Sequence, residues 1–206
     1  MSESTTAQMT RCLQRMNEND GEARAELLAY ARRRLQLLSD RMFVRFPVLH
    51  SVEHSDDLFQ EAIFRLWKSL EAVGPTTVAA FMGLAALQMR RALCDLVRKH
   101  LGRDKRTAMP QTNSIAINGS VHFAAITHKD GATNSPEELM CWSEFHEAAE
   151  RLSEPDRTAF DLLYYHELPP SEVALLMDVS ERQVRRYWQS ARRSLLRMLN
   201  GSWPKM

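Results

Sequence analysis

Residues 180–196, SERQVRRYWQSARRSLL, carry arginine at 182, 185, 186, 192 and 193, with Glu181 as the single acid. A guanidinium fork can pair with phosphate or hold guanine through two hydrogen bonds, and a glutamine amide can hold adenine in the same way. A basic helix suits water, a membrane surface or the groove of a nucleic acid. The apolar spacing bears on the choice. Val184, Trp188, Ala191 and Leu195 recur at steps of four, three and four, a narrow stripe suited to packing. A helix lying on a membrane needs a broad exposed apolar face instead. The stripe leaves Arg182, Gln183, Arg185, Arg186 and Gln189 outward near the helix start, with Arg192 and Arg193 further along.

The residues just before explain how such a helix is presented. PPSEVALLMD reads as a short helix preset by Pro170, and Asp178 can take the left-handed conformation of a tight turn. Pro169 offers no side-chain oxygen, so this first helix is expected to be poorly capped. Ser180 and Gln183 form a capping-box pattern that opens the second helix. Short helix, turn and longer helix make a helix-turn-helix, whose second helix enters the major groove by its N-terminal part. Arg182, Gln183, Arg185, Arg186 and Gln189 then suit base reading, and Arg192 and Arg193 suit phosphates.

The rest of the chain reads as helix around one break. Residues 1–22 are polar and irregular, and a frayed N-terminus is expected there. A first helical unit spans 23–101. In it AELLAYARRRLQLLSDRMF is amphipathic, and SDDLFQEAIFRLWKSL follows with Ser55 as candidate cap and Asp56 and Asp57 in its first turn. A long helix is expected from Val78 to Lys99. Over 102–134 the period dissolves into Gly, Asn, Thr and Ser, apart from the short run VHFAAI, and a linker is expected. Residues 135–206 restart as helix, with Ser135 and Glu138, then Ser153 and Asp156, as capping pairs. The expected fold is all-α: two helical domains joined by a flexible linker, the C-terminal one a helix-turn-helix.

Composition narrows the function. The 206 residues carry a formal net charge of +1, so only the clustering of basic residues, not the total, points to nucleic acid. Cys12, Cys94 and Cys141 are far apart and odd in number, which fits a reducing cytoplasm rather than a disulfide framework. No signal-peptide order appears, and the run VAAFMGLAALQM is too short to span a bilayer; a cytoplasmic protein with no membrane partner is expected. His50 and His54 lie four apart before Asp56 and Asp57, but Pro47 and the loop composition argue against a helical metal site, and Cys141 and His146 form no zinc pattern. No phosphate loop or nucleophile elbow is present. Neither catalysis, nor a cofactor, nor a metal is expected.

The segment SDDLFQEAIFRLWKSL, followed by FMGLAALQMRRALCDLVRKH, resembles region 2 of bacterial sigma factors. LSEPDRTAFDLLYYHELPPSEVALLMDVSERQVRRYWQSARRSL resembles their region 4. With nothing like region 3 between them, the layout is similar to the extracytoplasmic-function class, and the phrasing of the long helix to a planctomycete-like subgroup. The resemblance covers about residues 23–100 and 136–197. It implies a subunit that binds core RNA polymerase and promoter DNA. Asp56, Asp57, Gln60, Glu61, Phe64 and Trp67 would meet the β′ clamp, and region 4 the β flap. Arg90, Arg91, Arg98 and Lys99 would engage the opened −10 element. Arg182, Gln183, Arg185, Arg186, Gln189 and Arg192 would read the −35 duplex. Family habit also implies a separate anti-sigma protein. Four features depart from the family pattern: Arg91 where Asn is common, Leu84 where Trp is common, HELPPSE in place of the usual Gly-Leu-Ser/Thr entry to the helix-turn-helix, and Asp178 in place of the turn glycine. The alternative reading is a polymerase-independent helix-turn-helix regulator, which would have no use for the acidic DDLFQE face.

Overall fold

The structure is a computed structural model that describes residues 5–44, 46, 49, 54–107 and 136–201, with the side chains of 102–107 and 136 left aside. The described residues form helices joined by turns, without strands: α1 Thr5–Asn17, α2 Ala23–Phe43, α3 Ser55–Val73, α4 Val78–Thr107, α5 Pro136–Glu150, α6 Glu154–Phe160, α7 Pro170–Met177 and α8 Glu181–Met198. A π-helical turn, Asp161–Tyr165, continues α6. The expected capping serine Ser135 and the run VHFAAI, with most of the expected linker, lie outside the described residues.

Local chemistry sets the helix ends. At the start of α3 the backbone N–H of His54 donates to the Asp57 carboxylate at 2.9 Å. His54, rather than Ser55, therefore holds the cap position. Gly74, at φ 57° and ψ 59°, ends α3 in the left-handed conformation that costs glycine least, and Pro75 follows. Ser153 holds the cap position of α6 but makes no side-chain cap bond there, and Asp156 is buried instead.

α4 is the central helix, in contact with α1, α2, α3, α5, α6 and α7. Its sequence has two inward stripes. Val78, Met82, Ala85, Met89 and Leu93 are buried on one, and Ala79, Ala86, Arg90, Cys94 and Val97 on the other. Small residues on the second stripe let a neighbouring helix approach closely. Both sides are filled by the two halves of the chain together. Leu38, Ala62, Ala86 and Met89 share one core with Trp142, Phe145, Phe160 and Leu195. Leu27, Leu66, Met82 and Ala85 share another with Leu162, Val173 and Val184. The halves that the sequence separates are packed on each other.

Residues 5–17 form a helix within the segment 1–22 where a frayed end is expected. Met9, Cys12 and Leu13 fall at helical spacing on α1 and are buried. Arg15 anchors the helix by pairing with Asp20 at 2.7 Å and Glu26 at 2.6 Å. The weak apolar stripe becomes decisive only because α2 and α4 offer it a surface.

Candidate nucleic-acid interface

The C-terminal element is assembled as its local signals dictate. α7 begins at Pro170 with Pro169 at the cap and no side-chain cap bond. Asp178 takes φ 51° and ψ 48°, turning the chain sharply. The Gln183 N–H donates to Ser180 Oγ at 3.2 Å, capping α8. Val184, Ala191 and Leu195 of α8 are buried. Trp188 lies flat on Phe160, ring centroids 5.6 Å apart and planes at 16°. Packing this stripe turns Arg182, Arg185, Arg186, Gln189 and Arg192 to solvent, with Gln183 half-buried. Arg185 is steadied by Glu181 at 3.0 Å and Arg186 by Gln183 at 3.4 Å. One face of α8 thus offers four guanidinium groups and an amide in sequence, as groove reading requires.

A second exposed face lies on α3. Leu58, Ala62, Leu66 and Leu70 are buried, so Asp56, Asp57, Gln60, Glu61, Phe64 and Trp67 all face outward. Phe64 is 55% exposed and Trp67 38%, high for aromatic side chains on a helix. Lys68 sits over the Phe64 ring at 4.0 Å and Arg24 over Trp67 at 4.8 Å. Each cation lies over one face of its ring, and both rings stay exposed. Asp56 accepts from Gln36 at 3.2 Å, and Glu61 from Arg65 at 2.7 Å.

The basic end of α4 is arranged differently from its sequence reading. Arg90, which the resemblance assigns to the −10 strand, instead has 0% of its surface exposed and pairs with Asp161 through both terminal nitrogens. It lies on the buried second stripe of α4, 5.0 Å over the ring of Tyr165. Burial works against its charge, but the Asp161 carboxylate holds its pKa above the usual value; burial likewise pushes Asp161 upward, against the pull of Arg90. A guanidinium does not give up its proton in proteins, so a full positive charge is buried at Arg90. Arg91, Arg98 and Lys99 stay exposed. Arg91 pairs with Glu150 at 3.2 Å, and Arg98 with Glu147 and Asp95, each at 2.7 Å. Farther along the same seam Arg34 meets Glu172 at 3.2 Å and Arg41 meets Glu167 at 3.0 Å.

Comparison with known proteins names the C-terminal half. Residues 142–195 match the family described as Sigma-70, region 4. This segment is similar to region 4 of the sigma-70 family. The match takes in α6, the π turn, both helices of the helix-turn-helix and most of α5, about a quarter of the chain. No curated protein matches the chain. Among the described residues no helix is long and apolar enough to cross a membrane, and no three His, Cys, Asp or Glu side chains converge as a metal site. His50 lies outside the described residues.

Sequence reasoning passed over His166, which the region 4 domain drives into the α4 contact. Its Nε2 bonds the Met82 carbonyl at 3.0 Å. Burial lowers its pKa from 6.5 to about 4, and Arg34, Arg41 and Arg90 oppose a further positive charge. Between pH 6.5 and 4 the unfolded chain therefore takes up a proton that the folded chain refuses. This contribution to stability is complete above the window, falls as the pH drops through it, and amounts to about 3 kcal/mol. Urea unfolding at pH 6.5 and pH 4 should show a distinctly smaller loss in His166→Gln than in the parent protein. Equal losses in the two proteins would assign the acid sensitivity elsewhere.

Proposed function

We propose that this protein is a sigma factor that directs core RNA polymerase to specific promoters. The observation that carries the reading is a sigma-70 region 4 domain whose α8 turns Arg182, Gln183, Arg185, Arg186, Gln189 and Arg192 away from its packed stripe. In this reading α8 lies in the major groove of the −35 element. Arg and Gln side chains read base edges near its start, and Arg192 holds phosphate. The α3 face docks on the β′ clamp of the polymerase. Phe64 and Trp67 form its apolar centre, and Asp56, Asp57, Gln60 and Glu61 form a polar rim for a basic partner helix. The region 4 domain also meets the β flap. Arg91, Arg98 and Lys99 guide the opened −10 strand, and chemistry stays with the polymerase. The layout of the two units supports the extracytoplasmic-function class, the phrasing of the long helix the planctomycete-like subgroup, and the three dispersed cysteines a cytoplasmic location; a separate anti-sigma partner follows from family habit.

Run-off transcription with purified core polymerase and genomic promoter fragments tests this. The parent protein should yield promoter-specific transcripts. A Gln60→Ala, Glu61→Lys double variant should lose most of them while keeping duplex binding through α8. If the parent yields no transcripts and no association with core, but still binds duplex, the protein is a polymerase-independent regulator instead.

A further inference from the structure

Among the described residues five ion pairs join the first half of the chain to the region 4 domain, and in each of these the arginine comes from the first half and the acid from the second. A seam evolved only to hold two units together has no need of such one-sided polarity. The acids meet arginines of the kind that hold a nucleic-acid backbone. Glu147 and Glu150, one turn apart on α5, neutralise Arg98 and Arg91, two of the three exposed cations proposed for the −10 strand. The faces of α3 and α8 proposed for polymerase and for duplex stay open to solvent in the same arrangement.

We propose that the region 4 domain acts as an internal nucleic-acid mimic: the α5 carboxylates Glu147 and Glu150 occupy the −10 strand's place on α4 and mask it until the halves part. The proposal rests on the assignment of Arg91, Arg98 and Lys99 to the opened strand. The closed protein reads duplex and docks on a partner, but it holds single strands weakly. Strand affinity is then set by the fraction of open molecules, because only that fraction competes for strand. Strand and closure also oppose each other reciprocally, so saturating strand expands the protein.

The test uses the full chain. Glu147→Lys, Glu150→Lys sets like charges against Arg98 and Arg91. Glu144→Lys, Glu154→Lys makes the same change in net charge at exposed positions on the same half, away from the five pairs. Affinity for a labelled −10 non-template strand is measured by fluorescence anisotropy, and compactness by small-angle scattering. The first variant should gain about tenfold in strand affinity, from two reversed contacts of roughly 0.7 kcal/mol each. The control should gain about twofold or less, and saturating strand should enlarge the parent protein. Equal gains in the two variants, or a parent already extended without strand, would overturn the mask. Promoter-specific run-off transcripts from the parent protein would, in that case, leave the sigma-factor reading standing. Their absence would remove that reading separately.

Discussion

Asp161→Ala should cost the packed arrangement about 3–5 kcal/mol, the range for removing one partner of a buried ion pair. The reason lies in what remains. Arg90 is fully buried, its Nε has no hydrogen-bond partner, and Asp161 accepts from both of its other nitrogens. Without the carboxylate a full charge is stranded against the ring of Tyr165. The chain can regain water for it only by parting α4 from the π turn, so loss of compactness should accompany loss of stability. Removing both charges is a different matter. An Arg90→Met, Asp161→Leu double variant keeps the volume without a charge to desolvate, and should recover most of the loss. Urea unfolding of the three proteins decides it. A single variant with the parent's midpoint would show that the pair contributes nothing.

Phe160→Ala should be comparably damaging, at about 3–5 kcal/mol for an aromatic ring deleted from a core. Phe160 stacks on Tyr164 at 5.0 Å and on Trp188 at 5.6 Å, and meets Phe145 edge-on at 6.1 Å. It therefore ties α5, the π turn and α8 together. Phe160→Leu, which retains much of the volume, should cost about 1.5 kcal/mol or less. Denaturant unfolding gives both numbers. Duplex binding should fall more in the alanine variant than in the leucine one, because Trp188 loses the platform that sets the tilt of α8. Equal duplex binding by the two would detach α8 from this aromatic stack.

The parts of the interface that were legible in the sequence depend on local signals. The turn at Asp178, the cap at Ser180 and the stripe Val184–Leu195 all lie within one short segment, so spacing alone separated buried from exposed residues. The α3 face was legible for the same reason. Arg90 was misread because its complement lies 71 residues away. A signal was nevertheless present. Ala79, Gly83, Ala86, Arg90, Cys94 and Val97 recur at steps of four, three, four, four and three, a second stripe of mostly small residues. Asp161 likewise stands in the otherwise apolar run FDLLYY. A cation centred on one apolar stripe and an acid inside another suggest a buried pair, but neither names the other. The helix α1 leaves little trace in the sequence because its three buried side chains are diluted by ten other residues, and its support comes from α2 and α4.

The π-helical turn has a consequence for how this protein tolerates change in length. The His166 N–H reaches back five residues to the Asp161 carbonyl, at 3.1 Å. The turn thus holds one residue more than an α-helix would spend on the same bond. That surplus brings Asp161, Leu162 and Tyr165 inward together, with His166 behind them. A deletion of one residue here would restore ideal α-geometry and improve the local hydrogen bonds. It would also rotate everything downstream by about 100°, carrying His166 from Met82 and the groove-reading helix from its present aim. Relatives that share this contact should differ in length elsewhere and keep their residue count between Phe160 and Leu168.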